Sequence, residues 1–572
     1  MYRKLESRRA FLAKSILASG GVILSSQLVG LEKNNEWEMS NLDGSKGYHF
    51  LHGVGSFDPI SSAVIIWTRF TPTEALVGQS IQVRFEVSKN HSFTQLVAEG
   101  MVKALPKHDY TVMVDVNRLP SNSKFFYRFS YENAQSVVGE TLTLPEPSAA
   151  VSELTIAVCS CSNYPTGYFN VYDAIAKSEA DVVLHLGDYI YEYGGPESYG
   201  DNPVLKRQHD PYNEILTLEE YRKRYRQYRT DESLQLVHQK KPFIVVWDDH
   251  EVANDAFKEG AENHQENEGD FEERKTLAIK VHDEYLPIRR ASSSTIYRNF
   301  EFGTLVNLVM LDTRIVGRDR QIDIKSFYSP EGFNAADFSL ALADPSRRLL
   351  GETQLNWAAK TITSSSATWQ VLGQQVLMGK LFLPAELLVA NANAETGKIS
   401  RAEVLTLQTE LTQLKSRLLQ GDTSLSAIDL ERIKTLVPYN LDAWDGYFAE
   451  REMLYDSLRD KKVVVFAGDT HNAWHNELQD VNGMKIGEEF ATPSVTSSGL
   501  ENYLELETEN IPSFEESLQI LIDNLKYLDA SRRGFLLTHF TSTTAKTSYR
   551  FVDNIHTQSY EVAEGKSISY SG

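Results

Sequence analysis

Four times in this chain a short apolar run stops and a cluster of polar side chains begins, and that rhythm restricts the fold more than any other feature. Residues 154–159 lead into Cys159-Ser-Cys161-Ser-Asn163-Tyr164, and residues 181–186 into Gly187-Asp188-Tyr189-Ile190-Tyr191-Glu192-Tyr193. Residues 242–247 lead into Trp247-Asp248-Asp249-His250-Glu251, with Asn254 and Asp255 close behind. Residues 462–467 lead into Gly468-Asp469-Thr470-His471-Asn472, with Trp474 and His475 following. Short continuous apolar runs read as strands buried on both faces. Helical patterns fall between them, over 168–178, 217–228, 231–239 and 271–285, and further strands are expected at 304–311 and 368–372. Strands alternating with helices imply an α/β fold with helices packed on sheets. In such folds ligands gather beyond the carboxyl ends of the strands, which is where all four clusters lie.

A buried carboxylate without a partner is costly, and a bound cation removes that cost. Thiolate, phenolate, carboxylate and imidazole donors together suit a trivalent or transition metal. Oxygen donors beside them suit a hard ion such as calcium, and a carboxylate can bridge the two. Each cluster has a bland reading: Gly-Asp steps are common in strand-end turns, and Cys161 or Tyr191 alone reads as packing. Four such clusters at strand tips favour chemistry. Cys159 and Cys161 are the two cysteines of the chain. They are expected to face opposite ways, Cys159 into packing, with no disulfide between them.

The rest of the chain frames this core. Residues 1–35 read as a signal peptide and linker, because Arg8-Arg9 followed by Phe11-Leu12 and a short apolar stretch resembles a twin-arginine export signal. A periplasmic or secreted protein, no transmembrane anchor after processing, and the twin-arginine machinery as a partner follow from that. Residues 36–149 alternate apolar and polar positions (Ile81, Val83, Phe85, Val87; Val112, Val114, Val116; Phe125, Tyr127, Phe129) and are expected to form an all-β sandwich. Residues 150–572 are expected to form the domain that holds these clusters. Within it residues 380–440 are expected to be a helical hairpin with an apolar stripe at Leu407, Leu411, Leu414 and Leu418 and Gly421 beyond its end. Toward the end of the chain, residues 513–528 read as helix and 534–550 as β-structure. A net charge of −21 argues against nucleic acid as a partner and against adhesion to anionic membranes. An anionic substrate then needs a locally positive site.

Six further motifs make a resemblance specific: His52-Gly-Val-Gly-Ser-Phe-Asp-Pro59 with Ile66-Trp-Thr-Arg69, His185-Leu-Gly-Asp-Tyr-Ile-Tyr-Glu-Tyr193, Leu311-Asp-Thr-Arg314, Gly373-Gln-Gln-Val376, Trp444-Asp-Gly-Tyr447 and Phe466-Ala-Gly-Asp-Thr-His471. With Trp247-Asp-Asp-His-Glu-Val252 they resemble the PhoD-type alkaline phosphatases and phosphodiesterases, a branch of the calcineurin-like metallophosphoesterases. That resemblance implies a four-layer sandwich of two sheets flanked by helices, an exported phosphoesterase, and a ferric ion (Fe3+) beside calcium (Ca2+). Carried over by motif, the iron ligands are Cys161, Asp188, Tyr191 and His471. Asp188 bridges to calcium, Asp469 binds it too, and Asn254, with Asp249 second, supplies a further oxygen. His250 is placed to protonate the leaving group. Metal-polarised phosphoryl oxygens and a metal-activated water or hydroxide would then carry the hydrolysis. Arg314, with Gln374 and Gln375, either lines the phosphate pocket or, for Arg314, forms a structural ion pair.

Substrates implied are small phosphate esters and phospholipid or polymer diesters. The competing readings are a phospholipase D-like phosphodiesterase using the same metals, an exported iron-binding or redox protein, and a non-catalytic metal-binding protein. Against the redox reading stand the absence of a Cys-x-x-Cys-His haem motif, a cysteine cluster and a flavin fingerprint.

Overall fold

A strand that is apolar on successive residues needs cover on both faces, and two large sheets meet that need here. The computed structural model describes residues 49–195, 205–290, 295–329 and 332–572. The twin-arginine motif and the whole 1–35 segment lie outside these residues.

One sheet has nine strands, in the order Val562–Tyr570, Ala545–Val552, Arg533–Thr541, Glu153–Cys159, Val182–His185, Phe243–Val245, Val54–Ile60, Ala63–Arg69 and Thr111–Asn117. Its centre, from Glu153–Cys159 to Val54–Ile60, is parallel. The second sheet has seven strands, in the order Arg298–Phe302, Val306–Met310, Trp369–Gly373, Lys462–Ala467, Lys485–Ala491, Ala473–Gln479 and Leu525–Asp529. Four of these, Val306–Met310 to Lys485–Ala491, run parallel.

The period-2 geometry of a strand splits the apolar runs between two cores. Leu308, Met310, Val371, Val464 and Phe466 share one core with Ile156, Leu184 and Ile244 of the nine-stranded sheet. Their neighbours Val309, Leu311, Leu372, Val463 and Val465 share the other with Leu355, Ala358, Leu454 and Leu458 of the helices Gly351–Ser364 and Phe448–Leu458. The four strands that end in polar clusters fall close to the expected ranges. The helices between them begin where capping chemistry allows: Thr217 accepts from the Glu220 amide and Asp231 from the Ser233 and Leu234 amides, each just ahead of its helix.

The residues 54–69 and 111–117 hydrogen-bond into the nine-stranded sheet. A separate sheet is built from Leu96–Ala104, Ile81–Ser88, Lys124–Tyr131 and the short strands after it. It packs on that end of the large sheet through Val83, Val87, Phe125 and Phe129 against Val54, Val64, Ile66 and Val112. The opposite faces of the shared strands, Phe57, Ile65 and Trp67, enter the main core.

Two expectations change. Residues 513–528 are not one helix: helix Ile511–Leu521 ends, and Leu525–Asp529 pairs with Ala473–Gln479 at the sheet edge. Local periodicity cannot register a pairing partner some fifty residues away in sequence. The 380–440 segment holds three helices rather than a hairpin, Ala385–Glu395, Arg401–Leu419 and Ala427–Lys434. Gly397 and Gly421 lie beyond the ends of the first two at φ +69° and +80°, the left-handed conformation a helix terminus favours. The leucine stripe docks on the second core, with Leu411 and Leu414 buried beside Phe514 and Leu518. Among the described residues no helix is long and apolar enough to cross a membrane.

Leu411→Ala is therefore expected to cost about 2–5 kcal/mol, read as a lower urea midpoint. Leu419→Ala, at a position 65% exposed, is expected to stay within about 0.5 kcal/mol.

Candidate metal centre

Where the carboxyl ends of the two sheets meet, the backbone turns sharply at the residues the sequence singled out. φ is +62° at Cys161, +53° at Asp188, +64° at Asp469 and +65° at His471. Left-handed backbone away from glycine costs about 1–3 kcal/mol per residue and gathers at functional sites. The turns are locked by bonds between loops: the Cys161 amide donates to the Gly187 carbonyl at 3.2 Å and the Ser162 amide to the Asp188 carbonyl at 2.9 Å. The turn also corrects the reading of the cysteine pair. Residues two apart on a continuous strand share a face; here the strand ends at Cys159, whose thiol contacts the Leu184 carbonyl, and the left-handed turn carries Cys161 away. Neither cysteine is in a disulfide, and both are buried.

Cys161, Asp188 and His471 bring one donor atom each within 4.8 Å of one another. Tyr191 joins them: its hydroxyl donates to Asp188 Oδ2 at 3.0 Å and lies 3.1 Å from His471 Nε2. Metal–ligand bonds of about 2.0–2.3 Å place neighbouring donors about 3 Å apart, so the spacing fits a shared cation. His471 Nδ1 lies 2.7 Å from the Ser498 carbonyl. A carbonyl only accepts, so Nδ1 carries the hydrogen and Nε2 presents its lone pair to the cluster.

Asp188 also belongs to a second group with Asp249 and His250, and Asp249 to a third with Asp248 and Asp469. Asn254 lies beside them: its amide hydrogen is taken by Glu192 at 2.7 Å, its side-chain NH2 faces Glu262 at 3.2 Å, and its buried Oδ1 has no hydrogen-bond partner. Glu192 is fully buried and accepts from His250 Nδ1 at 2.6 Å, which orients the ring. Arg314 is fully buried too, with its nitrogens on Asp248, Asp442 and Asp469. Gln375 joins strand ends, donating to the Trp247 carbonyl at 2.7 Å and accepting from the Thr313 amide at 3.0 Å. Gln374 accepts from the Trp444 indole at 2.7 Å. His185 is a core histidine held by Tyr172 at 2.8 Å.

Electrostatically the site is crowded with negative charge. Burial pushes the Asp248 carboxyl well above its usual range; Arg314 opposes, and Asp249, Asp188 and Asp469 add to the rise. Burial and then Asp188 lift Glu251 to about 8, against the pull of three backbone amides. Burial disfavours charge on His250, yet Glu192, Asp249 and Asp188 together hold its ring up to about 10. Carboxylates that repel one another in this way are what a cation stabilises. The donor set, the unpartnered Asn254 oxygen and the oriented His471 all fit metal binding.

Some site residues carried too weak a signal to be singled out. Glu251 accepts from the Asp188 amide at 3.0 Å and the Asp248 amide at 2.7 Å and so clamps two strand tips together; it stands in the Trp-Asp-Asp-His-Glu run. Ser497 Oγ lies 2.6 Å from the Tyr191 hydroxyl and 3.0 Å from the Cys161 carbonyl, with its single hydrogen available to one of them; its signal was the small polar run from Thr492 to Gly499. Asp442 sits just before Trp444, after the three-residue strand Leu436–Pro438, which is too short to show as an apolar run.

The sequence model of the PhoD-like phosphatase family matches residues 156–549, and that of the PhoD-like phosphatase N-terminal domain matches residues 37–145. The chain belongs to the PhoD-like phosphatase family. It is 31% identical over 559 residues to alkaline phosphatase D of Bacillus subtilis (strain 168), covering 95% of this chain and 84% of that protein. A solved structure of PhoD superposes with a TM-score of 0.72 at 28% identity, covering 92% of this chain and 91% of that one. As a PhoD-like phosphatase, the protein is a hydrolase acting on phosphoester bonds.

Gly187 tests the geometry of this phosphatase site. Its φ is +102°, and a Cβ there would lie 2.4 Å from both the Cβ and the amide nitrogen of Asp248. Gly187→Ala must separate the two strand tips, and a shift of about 1 Å can cost about a hundredfold in rate. The expected outcome is that loss in kcat/KM on a phosphate ester with an unchanged far-ultraviolet circular dichroism spectrum.

Proposed function

We propose that this PhoD-like phosphatase is an exported, metal-dependent enzyme that hydrolyses phosphate mono- and diesters with iron and calcium. One observation carries the reading: two donor groups of different chemistry share Asp188. One group holds the Cys161 thiol and the His471 imidazole, with the Tyr191 phenol bonded to Asp188; the other joins Asp188 to Asp249 and His250, and Asp249 is grouped in turn with the oxygen donors Asp248 and Asp469. The first set suits ferric iron, the second calcium. Cys161, Asp188, Tyr191 and His471 would hold the iron; Asp188, Asp469, Asn254 and Asp249 would hold the calcium. When bound, these cations polarise phosphoryl oxygens and lower the pKa of a bound water.

The remaining roles belong to the chain itself. Glu192 fixes the ring of His250 by its Nδ1, which leaves Nε2 to pass a proton to the departing oxygen. Arg314 offsets the charge of Asp248 and Asp469. The near-complete burial of Tyr191, His250 and His471 keeps bulk water from the reacting centre. Arg8-Arg9 and the apolar stretch after it support twin-arginine export to the periplasm or the exterior. Helices on the outer side of a sheet whose inner side shares a core with the second sheet support the four-layer metallophosphoesterase sandwich. Its catalytic domain would span 150–572, and the N-terminal β-sandwich domain at 36–149 would be fused to it through the strands within 54–69 and 111–117, which extend the nine-stranded sheet.

Protein purified without chelators or a metal-affinity tag is expected to hold about one iron together with calcium by elemental analysis, and to be coloured by a phenolate-to-iron band that Tyr191→Phe removes. Colourless, iron-free protein overturns the Cys161 and Tyr191 assignments. Asp188→Asn removes the shared carboxylate and is expected to lower kcat at least ~100-fold with loss of metal, the upper end of what disturbing a metal shell costs. Hydrolysis of both p-nitrophenyl phosphate and bis(p-nitrophenyl) phosphate is expected; activity on one alone narrows the substrate class to that ester.

A further inference from the structure

We infer that Asp442 is a positioning residue for this site: it holds Arg314 in place and offsets its charge, so that Asp469 and Asp248 keep their pull on a cation. The inference deepens the metal-dependent reading and rests on it.

Arg314, itself fully buried, lies at the middle of a buried network. Its Nε donates to Asp248 Oδ1, its Nη2 to Asp469 Oδ1 at 2.9 Å, and its Nη1 to both oxygens of Asp442 at 3.0 and 2.8 Å. Asp248 and Asp469 belong together to one of the groups able to hold a metal ion, whereas Asp442 belongs to none of the groups found among the described residues. A guanidinium beside two such carboxylates competes with any cation for them. Asp442 limits that competition in two ways. Its carboxylate neutralises Arg314 at Nη1, the nitrogen that neither Asp248 nor Asp469 takes, and with those two acids on Nε and Nη2 it leaves every nitrogen of the guanidinium held. Asp442 is shared with Arg318, whose Nη2 donates to its Oδ1 and, at 2.8 Å, to its backbone carbonyl.

The backbone around Asp442 is built to be stiff. Its amide bonds Asn440 Oδ1 at 2.9 Å, the Tyr439 amide donates to the Leu381 carbonyl at 2.8 Å, and the Trp444 amide donates to the Leu377 carbonyl at 3.2 Å. These contacts seat the residue on the chain that returns from the helix Ala427–Lys434, through Leu436–Pro438, to the sheet ends. The anchoring of residues 439–444 on residues 377–381 therefore sets where Asp442 stands, and through Arg314 it sets the field at Asp469 and Asp248.

Asp442→Asn keeps the shape and removes one negative charge. In the buried site a charge at this range is weakly screened, so the calcium concentration for half-maximal activity is expected to rise tenfold or more. Arg318→Met acts in the opposite direction: it frees Asp442 to neutralise Arg314 more fully, and the half-saturating calcium is expected to fall severalfold. The full chain, with its iron retained and calcium removed by a mild chelator, is titrated with calcium ion. Hydrolysis of p-nitrophenyl phosphate is one readout and the calcium-induced rise in thermal midpoint is the other. Asp442→Glu, which restores the charge, is expected to recover most of the wild-type response. Should Asp442→Asn not fold, the sign of the Arg318→Met shift decides. Variants that lower the calcium-free thermal midpoint while leaving half-saturation at the wild-type value overturn the inference and make the network purely structural. A wild-type protein that neither needs nor is stabilised by calcium overturns the calcium assignment first, and the inference with it.

Discussion

The concentration of carboxylates at the meeting point of two sheets is the constraint that the rest of this structure serves. Asp188, Asp248, Asp249 and Asp469 are buried or nearly so, together with Glu192 and Glu251. Removed from water, such groups repel one another and lose hydration, and none is tolerated without a partner. The fold supplies partners of three kinds. Backbone amides serve Glu251, Glu192 and Asp249. Buried cationic groups, Arg314 and the imidazole of His250, serve others. The remaining demand falls on the donor groups around Asp188, where a cation has chemical reason to bind.

That arrangement accounts for the strained turns. A strand running straight on past Cys159, Leu186 or Ala467 would carry its next side chains to alternating faces. Left-handed backbone at Cys161, Asp188, Asp469 and His471 directs them to one point instead. The cost is spread over a rigid frame in which loops from separate strands bond one another, as between Cys161 and Gly187 or between Val495 and Ser160. Gly187 shows how tight that frame is, since its neighbouring strand tip leaves no room for a Cβ. Membership of the PhoD-like phosphatases gives this frame a reaction class.

Legibility in the sequence followed the range of the interactions involved. The strands ahead of the polar clusters were readable because burial on both faces demands a continuous apolar run, a local signal. Helix starts at Leu218 and Glu232 were readable because Thr217 and Asp231 cap them locally. The strand Leu525–Asp529 was not, because its identity rests on pairing with Ala473–Gln479. The third helix of the 380–440 segment, Ala427–Lys434, was missed although Ser426 and Asp429 form a capping box at its start. The roles of Glu251 and Asp442 were hidden for a different reason: a carboxylate's function here depends on which amide or guanidinium reaches it from a distant loop.

By itself the sequence determined which residue types would stand at the strand tips, because hydrophobic runs and the polar breaks after them are properties of neighbouring residues. It also determined the α/β character and the family, through the order of motifs from His52 to His471. Only the tertiary structure decided how those tips face one another: that Cys161, Tyr191 and His471 close on Asp188 from separate loops, and that Arg314 is bound on three sides by acids. It alone joined residues 54–69 and 111–117 to the catalytic sheet. The physical reason is that hydrogen-bond partners, sheet edges and electrostatic neighbours are set by packing between distant segments, and no local pattern of residues records them.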